Sequence, residues 1–383
     1  MAPAHATCSV ANQYRFEFGT AAATGLSYAS SYSYAATSTA LGSQNFTVSW
    51  PIVNGASSTV VATLQMPRID PIINDGNPTT ANNLIVGMIL AGRTADITSG
   101  TNVVVTRFTF PTAIRTFSVQ LNDIDFATNQ FRDWIHISGS NGATVYSPSI
   151  STPAGNNNTS GPRTAPGSTI NLGAAATPFI MTDREAIGNG TAPNTDDTGT
   201  LTAVFAQPIT QVEIRYGNNG VSPGGGTTGQ QAYGIQRVSW CPMPVLSVIK
   251  TSAPFSDPAN GTTDPKLIPG GDLLYTITVN NADSSPVDLN GTVITDPLPG
   301  TVTFYNADID DAGPLTTNFA FNAGTSGLSF GAANFTYSNN GGATYAYAPA
   351  PGYDPAVNAL RFAPTGSMAA NSSFSVQFRV RIR

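Results

Sequence analysis

Polar and apolar residues alternate along most of this chain with a period of two, in short runs. Phe117, Val119 and Leu121 share one face of the segment Thr116-Phe-Ser-Val-Gln-Leu121, and Leu273, Tyr275, Ile277 and Val279 alternate with polar residues further on. A period of two marks a strand with one buried face. Runs of similar β character begin at Phe46, Thr59, Val103, Trp134, Leu201 and Gln211, and turn-rich polar stretches separate them. From Arg15 to Arg237 this pattern predicts a β-sandwich or jelly roll. The longest apolar run, Leu84-Ile-Val-Gly-Met-Ile-Leu-Ala91, is far shorter than the roughly 20 residues a spanning helix needs. It reads as a buried strand, and no membrane span is expected.

Composition sharpens the fold class. Only 10% of the 383 residues are charged, with Glu confined to Glu17, Glu185 and Glu213 and Lys to Lys250 and Lys266. Surface helices stabilised by Glu-to-Lys pairs are therefore essentially unavailable. We expect an all-β protein of two tandem β-sandwich domains, because 383 residues are enough for two ordinary cores. The net charge is −6, and basic residues cluster only at Arg379, Arg381 and Arg383. Nucleic acid and anionic membranes are accordingly not expected partners.

The two cysteines help to place the domains. Cys8 lies near the start and Cys241 just before Pro242-Met-Pro244. Paired, they would close one domain spanning 8–241 and would require an oxidising compartment; unpaired, they would be two buried thiols. The opening residues include Ala4-His5-Ala6, which resembles the small-residue cleavage site of an export signal; an ordinary disordered terminus is the alternative. With two Cys and two His, a zinc site is not expected.

After Pro244 three motifs follow in order: Leu246-Ser-Val-Ile-Lys-Thr251, Pro265-Lys-Leu-Ile-Pro-Gly-Gly-Asp-Leu-Leu-Tyr-Thr-Ile-Thr-Val-Asn-Asn281 and Val293-Ile-Thr-Asp-Pro-Leu-Pro-Gly300. Together with the closing strand they resemble the immunoglobulin-like conserved repeat called the DUF11 domain, found in bacterial cell-surface proteins. The resemblance covers roughly 245–383 and implies an immunoglobulin-like sandwich, alongside a jelly-roll or sandwich-like first domain. In the closing strand Phe374, Val376, Phe378, Val380 and Ile382 face one way, and Ser375, Gln377, Arg379, Arg381 and Arg383 the other. Such a strand pairs within its own domain or completes the sheet of a neighbouring subunit.

Candidate chemistry is sparse. Gly327-Leu-Ser-Phe-Gly331 has the nucleophile-elbow spacing, but no His follows it. Asp123, Asp125 and Asp133 form the nearest thing to a carboxylate cluster. Three Asp at short spacing suit a Ca²⁺ site, which takes oxygen ligands, or solvated turns. His136, between Ile135 and Ile137, reads as a strand-surface side chain. Phe131 and Trp134 are the aromatic candidates beside the acids for a carbohydrate site. Tyr28, Tyr32 and Tyr34, at even spacing, would form either an adhesive surface or one half-buried strand. The resemblance also implies a Lys in the opening strand, here Lys250, where an isopeptide bond could form, without assignable acid and Asn partners. Long polar Gly-rich segments at 151–169 and 217–230 read as surface loops.

No enzyme is expected. A secreted cell-surface structural or adhesive protein, assembling with copies of itself or other surface proteins as a filament or array, accounts best for these features. The alternative is an adhesin module recognising surface glycans, with or without Ca²⁺.

Overall fold

The computed structural model describes residues 8, 10–152, 157–161, 163–164, 180–219, 229–282, 285–311 and 315–383. The Ala4-His5-Ala6 segment and most of both Gly-rich loops lie outside these residues. Among them are β-strands and short 3-10 turns and no α-helix. The all-β class follows from the scarcity of Glu and Lys and the wealth of Val, Thr and aromatic residues. The chain divides into two compact units, Met1–Met243 and Pro244–Arg383.

The first unit is built on β1 (Tyr14–Glu17), β2 (Tyr32–Ser38), β3 (Gly42–Asn54), β4 (Asn83–Leu90), β5 (Val103–Asn122), β6 (Phe131–Asn141), β7 (Glu185–Gly188), β8 (Leu201–Phe205), β9 (Ile209–Asn218) and β10 (Gln230–Pro242). The 20-residue strand β5 is shared by two layers, the first and second sheet below, which hydrogen-bond into one continuous 17-stranded sheet among the described residues. Its first half lies between β3 and β9, with Phe108 opposite Val48 and Val212. Its second half lies between β8 and β10, with Val119 opposite Ala203 and Val238. The register shifts between Thr109 and Ile114 and again between Arg115 and Ser118, where Thr116 has φ +52°. Pro111 supplies no ladder N–H, and bulges bend a strand, so the chain turns there from one sheet to the other.

Strands β6 and β7 extend the first sheet beyond β9, and β4 extends the second beyond β10. Strand β1 pairs with both β10 and β2 and joins the two sheets. Phe117, Val119 and Leu121 are fully buried, as their alternation requires. Around them Phe46, Phe110 and Trp240 form an edge-to-face aromatic group, with Trp240 centred 5.4 Å from Phe46 and 5.0 Å from Phe110. Such pairs each add about 1 kcal/mol to area burial.

Cys8 and Cys241 form a disulfide across 233 residues. It ties the start of the unit to the end of β10, and in the chain-entropy view so long a loop is worth up to about 5 kcal/mol. Tyr28, Tyr32 and Tyr34 do not form an exposed adhesive face. They pack onto the core, Tyr28 and Tyr32 edge-on to Trp50 and Tyr34 against Phe46, while Ser33, Ala35 and Thr37 face outward.

The second unit comprises β11 (Leu246–Ser256), β12 (Asp272–Asn281), β13 (Ile294–Pro297), β14 (Val302–Asn306), β15 (Phe319–Asn322), β16 (Phe335–Ser338), β17 (Gly352–Asp354), β18 (Ala359–Phe362) and β19 (Ser372–Ile382). One sheet runs β11-β12-β19-β14-β17, with β15 also on β19, and the other runs β13-β18-β16. The last strand is therefore an interior strand of its own unit. It pairs with β12 along its length and with β14 and β15 on its other side. Phe374, Val376, Phe378 and Val380 are buried in the core and Ile382 packs at its margin, so these side chains cannot complete a neighbour's sheet. The opposite face of β19 is not uniformly solvated either: Arg379 is 4% exposed.

Candidate functional site

Asp123 follows the last residue of β5, and Asp133 is the third residue of β6. The turn between them carries Asp125, whose N–H donates to Asp133 Oδ2 (3.3 Å) and whose carbonyl accepts from Asp133 N–H (2.9 Å). Two glycines let neighbouring strands close on this turn. A Cβ at Gly188 would lie 1.8 Å from the Asp125 carbonyl oxygen, and one at Gly199 would lie 2.8 Å from Asp123 Cα. Asp123 itself has φ +66°, a left-handed conformation that Asp and Asn tolerate better than most residues.

The three carboxylates do different things. Asp133 is fully buried and both its oxygens are committed inward, Oδ1 accepting from the Tyr216 hydroxyl at 2.5 Å. Burial, and then the charge of Asp125, push its pKa well above the ordinary carboxylate range. Asp125 Oδ2 accepts from Ala192 N–H at 2.8 Å; burial still raises its pKa to about 6. Asp123 accepts no side-chain or backbone hydrogen bond among the described residues. Burial raises its pKa well above the usual range, and Asp125 and Asp196 push it further in the same direction. No Lys or Arg forms an ion pair with any of the three among the described residues.

Asp123 and Asp125 open into a cavity of about 210 Å³. Asn194, Gln230 and Gln231 complete its polar wall; Val61, Ile72, Ile73 and Ala232 form the apolar one, with Phe131 at the side. The structure thus brings Asp123, Asp125 and Phe131 together. Trp134 does not join them. It is buried among Ile97, Val103, Val105, Met181 and Ile187, and its indole N–H donates to Glu185 Oε2 at 3.0 Å. Alternation along β6 separates the two aromatics from any shared platform.

Asp133, turned inward, is not available as a third ligand, and no group of three His, Cys, Asp or Glu side chains converges to hold a metal ion among the described residues. His136 is not a surface side chain but is 8% exposed. Burial, and then the nearby Arg215 and Arg184, lower its pKa to about 4, so it is neutral near pH 7.

In the second unit Lys250 gains the acid partner the sequence left unassigned. Its ammonium lies 2.7 Å from Asp296 Oδ2 and 4.1 Å from the centre of the Tyr275 ring. Asp296 belongs to the Val293–Gly300 motif. Strand β11, which carries Lys250, pairs only with β12 among the described residues, and every residue from Leu246 to Pro254 is exposed. Leu246, Val248 and Lys250 lie opposite Asn281, Val279 and Ile277, on the core side of the sheet. The facing sheet has three described strands, and Lys250 reaches one of them at Asp296. Val248 and Ile249 remain 56% and 55% exposed, one on each face.

The sequence did not point to Asn194, Gln230, Gln231, Ile72 or Ile73 as cavity residues. Their only local signal is the polar Gln230-Gln231 pair at the start of an otherwise core strand. The cavity joins segments that lie far apart in the chain.

No family model matches the chain, and no curated protein matches it. Among solved structures, an allantoicase is 9% identical over 77% of this chain and 79% of that one, with a TM-score of 0.17. The allantoicase of Saccharomyces cerevisiae is 8% identical over the same shares, with a TM-score of 0.15. Likenesses this weak carry no argument about fold or activity.

Proposed function

We propose that this protein is a non-catalytic structural and adhesive component of a cell surface, and that it associates with copies of itself through the free edge of β11. The single observation that carries this reading is the 11-residue edge strand, long, exposed and apolar on both faces. Such edges pair with further strands unless they are blunted by charge, Pro, bulges or cover; Pro254 and the register shift between Pro254 and Ser256 blunt the end of this strand and leave Leu246 to Ala253 free to pair. The usual guard would be Lys250, the only charged residue of the strand. Its ammonium is held by Asp296 and the Tyr275 ring within its own unit.

A second copy is the occupant we favour. Two β11 strands running antiparallel bring no uncompensated charge together, and Leu246, Val248 and Ile249 of each copy cover apolar surface of the other. Pairing of identical strands is isologous, so this contact yields dimers, and a filament requires a second contact. The disulfide supports an oxidising, extracellular location, and the resemblance of 245–383 to a bacterial surface repeat supports the same setting.

Sedimentation analysis of the whole chain from micromolar to millimolar concentration tests the proposal. We expect a monomer–dimer equilibrium that Ile249→Lys, which places a free charge on the outer face, shifts to monomer without changing the unfolding midpoint. Wild-type protein that stays monomeric throughout, or a dimer indifferent to Ile249→Lys, overturns the proposal.

A further inference from the structure

The free backbone groups of β11 can be placed residue by residue. Ala282 N–H donates to the Val245 carbonyl at 2.9 Å, in the register that sets Leu246 opposite Asn281. Hydrogen-bonded pairs recur at every second residue of an antiparallel ladder. Ser247, Ile249, Thr251 and Ala253 are therefore bonded to β12, and the amides and carbonyls of Leu246, Val248, Lys250 and Ser252 point to the open edge. Pro254 falls at the next edge-facing position, and Pro244 precedes Leu246 in the same alternation. Neither has an N–H to offer. The two prolines stand five residues to either side of Ile249 and bracket an edge that is symmetric about it.

That bracket selects among the ways a second copy can pair. A strand laid antiparallel on its own copy has a two-fold axis, and edge-facing residues must meet edge-facing residues. With the axis at Ile249, Leu246 meets Ser252 of the other copy and Val248 meets Lys250, so all four edge-facing residues of each strand exchange hydrogen bonds. With the axis at any other residue from 246 to 252, at least one of the four meets Pro244 or Pro254 and loses a bond. An axis at Lys250 would also set two lysines face to face, which is unfavourable. With the axis at Ile249 each Lys250 lies opposite Val248 instead, and its ammonium stays with Asp296. The pair on the axis is then a non-hydrogen-bonded one, the kind in which side chains lie closer. Ile249 forms it, 55% exposed on the outer face of the sheet. A strand of different sequence gains nothing from a bracket centred on Ile249, whereas a second copy gains a single register.

We propose that β11 pairs with β11 of a second copy in one register, with the two-fold axis on Ile249. The inference rests on the self-association proposed above and adds to it which residues meet across the seam.

Variants of the whole chain that each add one cysteine test the register. The two native cysteines are already joined, so the added thiol is the one available. Val248→Cys, Ile249→Cys and Thr251→Cys are incubated in a glutathione redox buffer at concentrations where sedimentation shows wild-type dimer, and covalent product is read by intact mass without reductant. Ile249→Cys should convert to disulfide-linked dimer while Val248→Cys and Thr251→Cys stay unlinked, because Cα atoms more than about 7 Å apart cannot be bridged. Charge supplies a second arm. Ile249→Lys and Ile249→Glu should each be monomeric, and an equal mixture of the two should restore the dimer, since in this register the two side chains face each other. Wild-type protein that is monomeric throughout overturns the association and the register together. A wild-type dimer weakened by Ile249→Lys overturns the register alone if Ile249→Cys fails to link, if another position links instead, or if the two charged variants fail to complement. A dimer in which no position links and Ile249→Lys changes nothing has its contact elsewhere and overturns both.

Discussion

Each unit buries carboxylates, and two cases, Asp272 in the second unit and a group of three in the first, are solved in opposite ways. In the second unit Asp272 is 1% exposed and lies between two cations. Arg379 Nε donates to it at 3.0 Å, Arg381 Nε at 2.9 Å and the Tyr353 hydroxyl at 2.6 Å. Burial raises its pKa, but the hydrogen bonds from Arg381, Tyr353 and Arg379 outweigh burial, and the net shift is downward. Arg379 is further covered by the rings of Phe255 and Tyr305 at 4.1 and 4.4 Å. In the first unit Asp123, Asp125 and Asp133 are buried with no such cations, and all three pKa values go up. Buried charges in proteins are normally paired. The paired group holds its charge inside the fold, and the unpaired one is easier to bury protonated.

The largest expected effect tests the architectural half. Asp272→Ala leaves the buried Arg379 with only the half-exposed Asp311, 2.8 Å from its Nη1, which costs about 3 kcal/mol, the lower end for a broken buried pair. Denaturant unfolding should show that loss in the transition of the second unit, with the first unit's unchanged. A loss below about 1 kcal/mol would mean that Asp272 is as dispensable as a surface charge.

Next in size is a gain in the first unit. The carboxyl of Asp125 has an ordinary value of 3.8 and a folded value of about 6. A raised folded pKa means that the native state holds the proton more tightly. Its stabilising contribution is present below about pH 4 and is lost as the pH rises through 6. Asp125→Asn should therefore raise stability at pH 7 by up to about 3 kcal/mol and have little effect at pH 3. Equal effects at both pH values, or a loss at pH 7, would show that Asp125 is satisfied in the native state after all.

The smallest effect falls on the intermediate case, the half-covered Lys250–Asp296 pair. Lys250→Met should cost about 1 kcal/mol, near the upper end for partly exposed ion pairs. A cost of several kcal/mol would place this pair with Asp272 as core architecture. An unmodified intact mass fits an ion pair, whereas a mass lower by one water would show an amide between the two side chains.

Much of the fold was legible in the chain, for identifiable reasons. The clean alternation of Phe117, Val119 and Leu121, and of Leu273 to Val279, has one cause, a strand with one dry face, and both occur as strands. The single pair of cysteines left only one disulfide to form. The site was half legible. Asp123, Asp125 and Phe131 border one cavity because they lie within nine residues of one another, so a turn and a strand start suffice to bring them together. Trp134 was misplaced because one step along a strand reverses the side chain's face. The burial of Arg379 was not legible, because alternation separates two faces but does not say what covers the second.

The sequence by itself determined the all-β class, the two units, the disulfide and the periodicity of the strands, since these rest on composition and local pattern. Only the tertiary structure decided that the closing strand is interior and that β11 is left uncovered. It also decided that Asn194 and Gln230, some seventy and a hundred residues from Asp123, line the same cavity. Those outcomes depend on which strands become neighbours, and neighbours in a sheet are chosen by packing across the whole core.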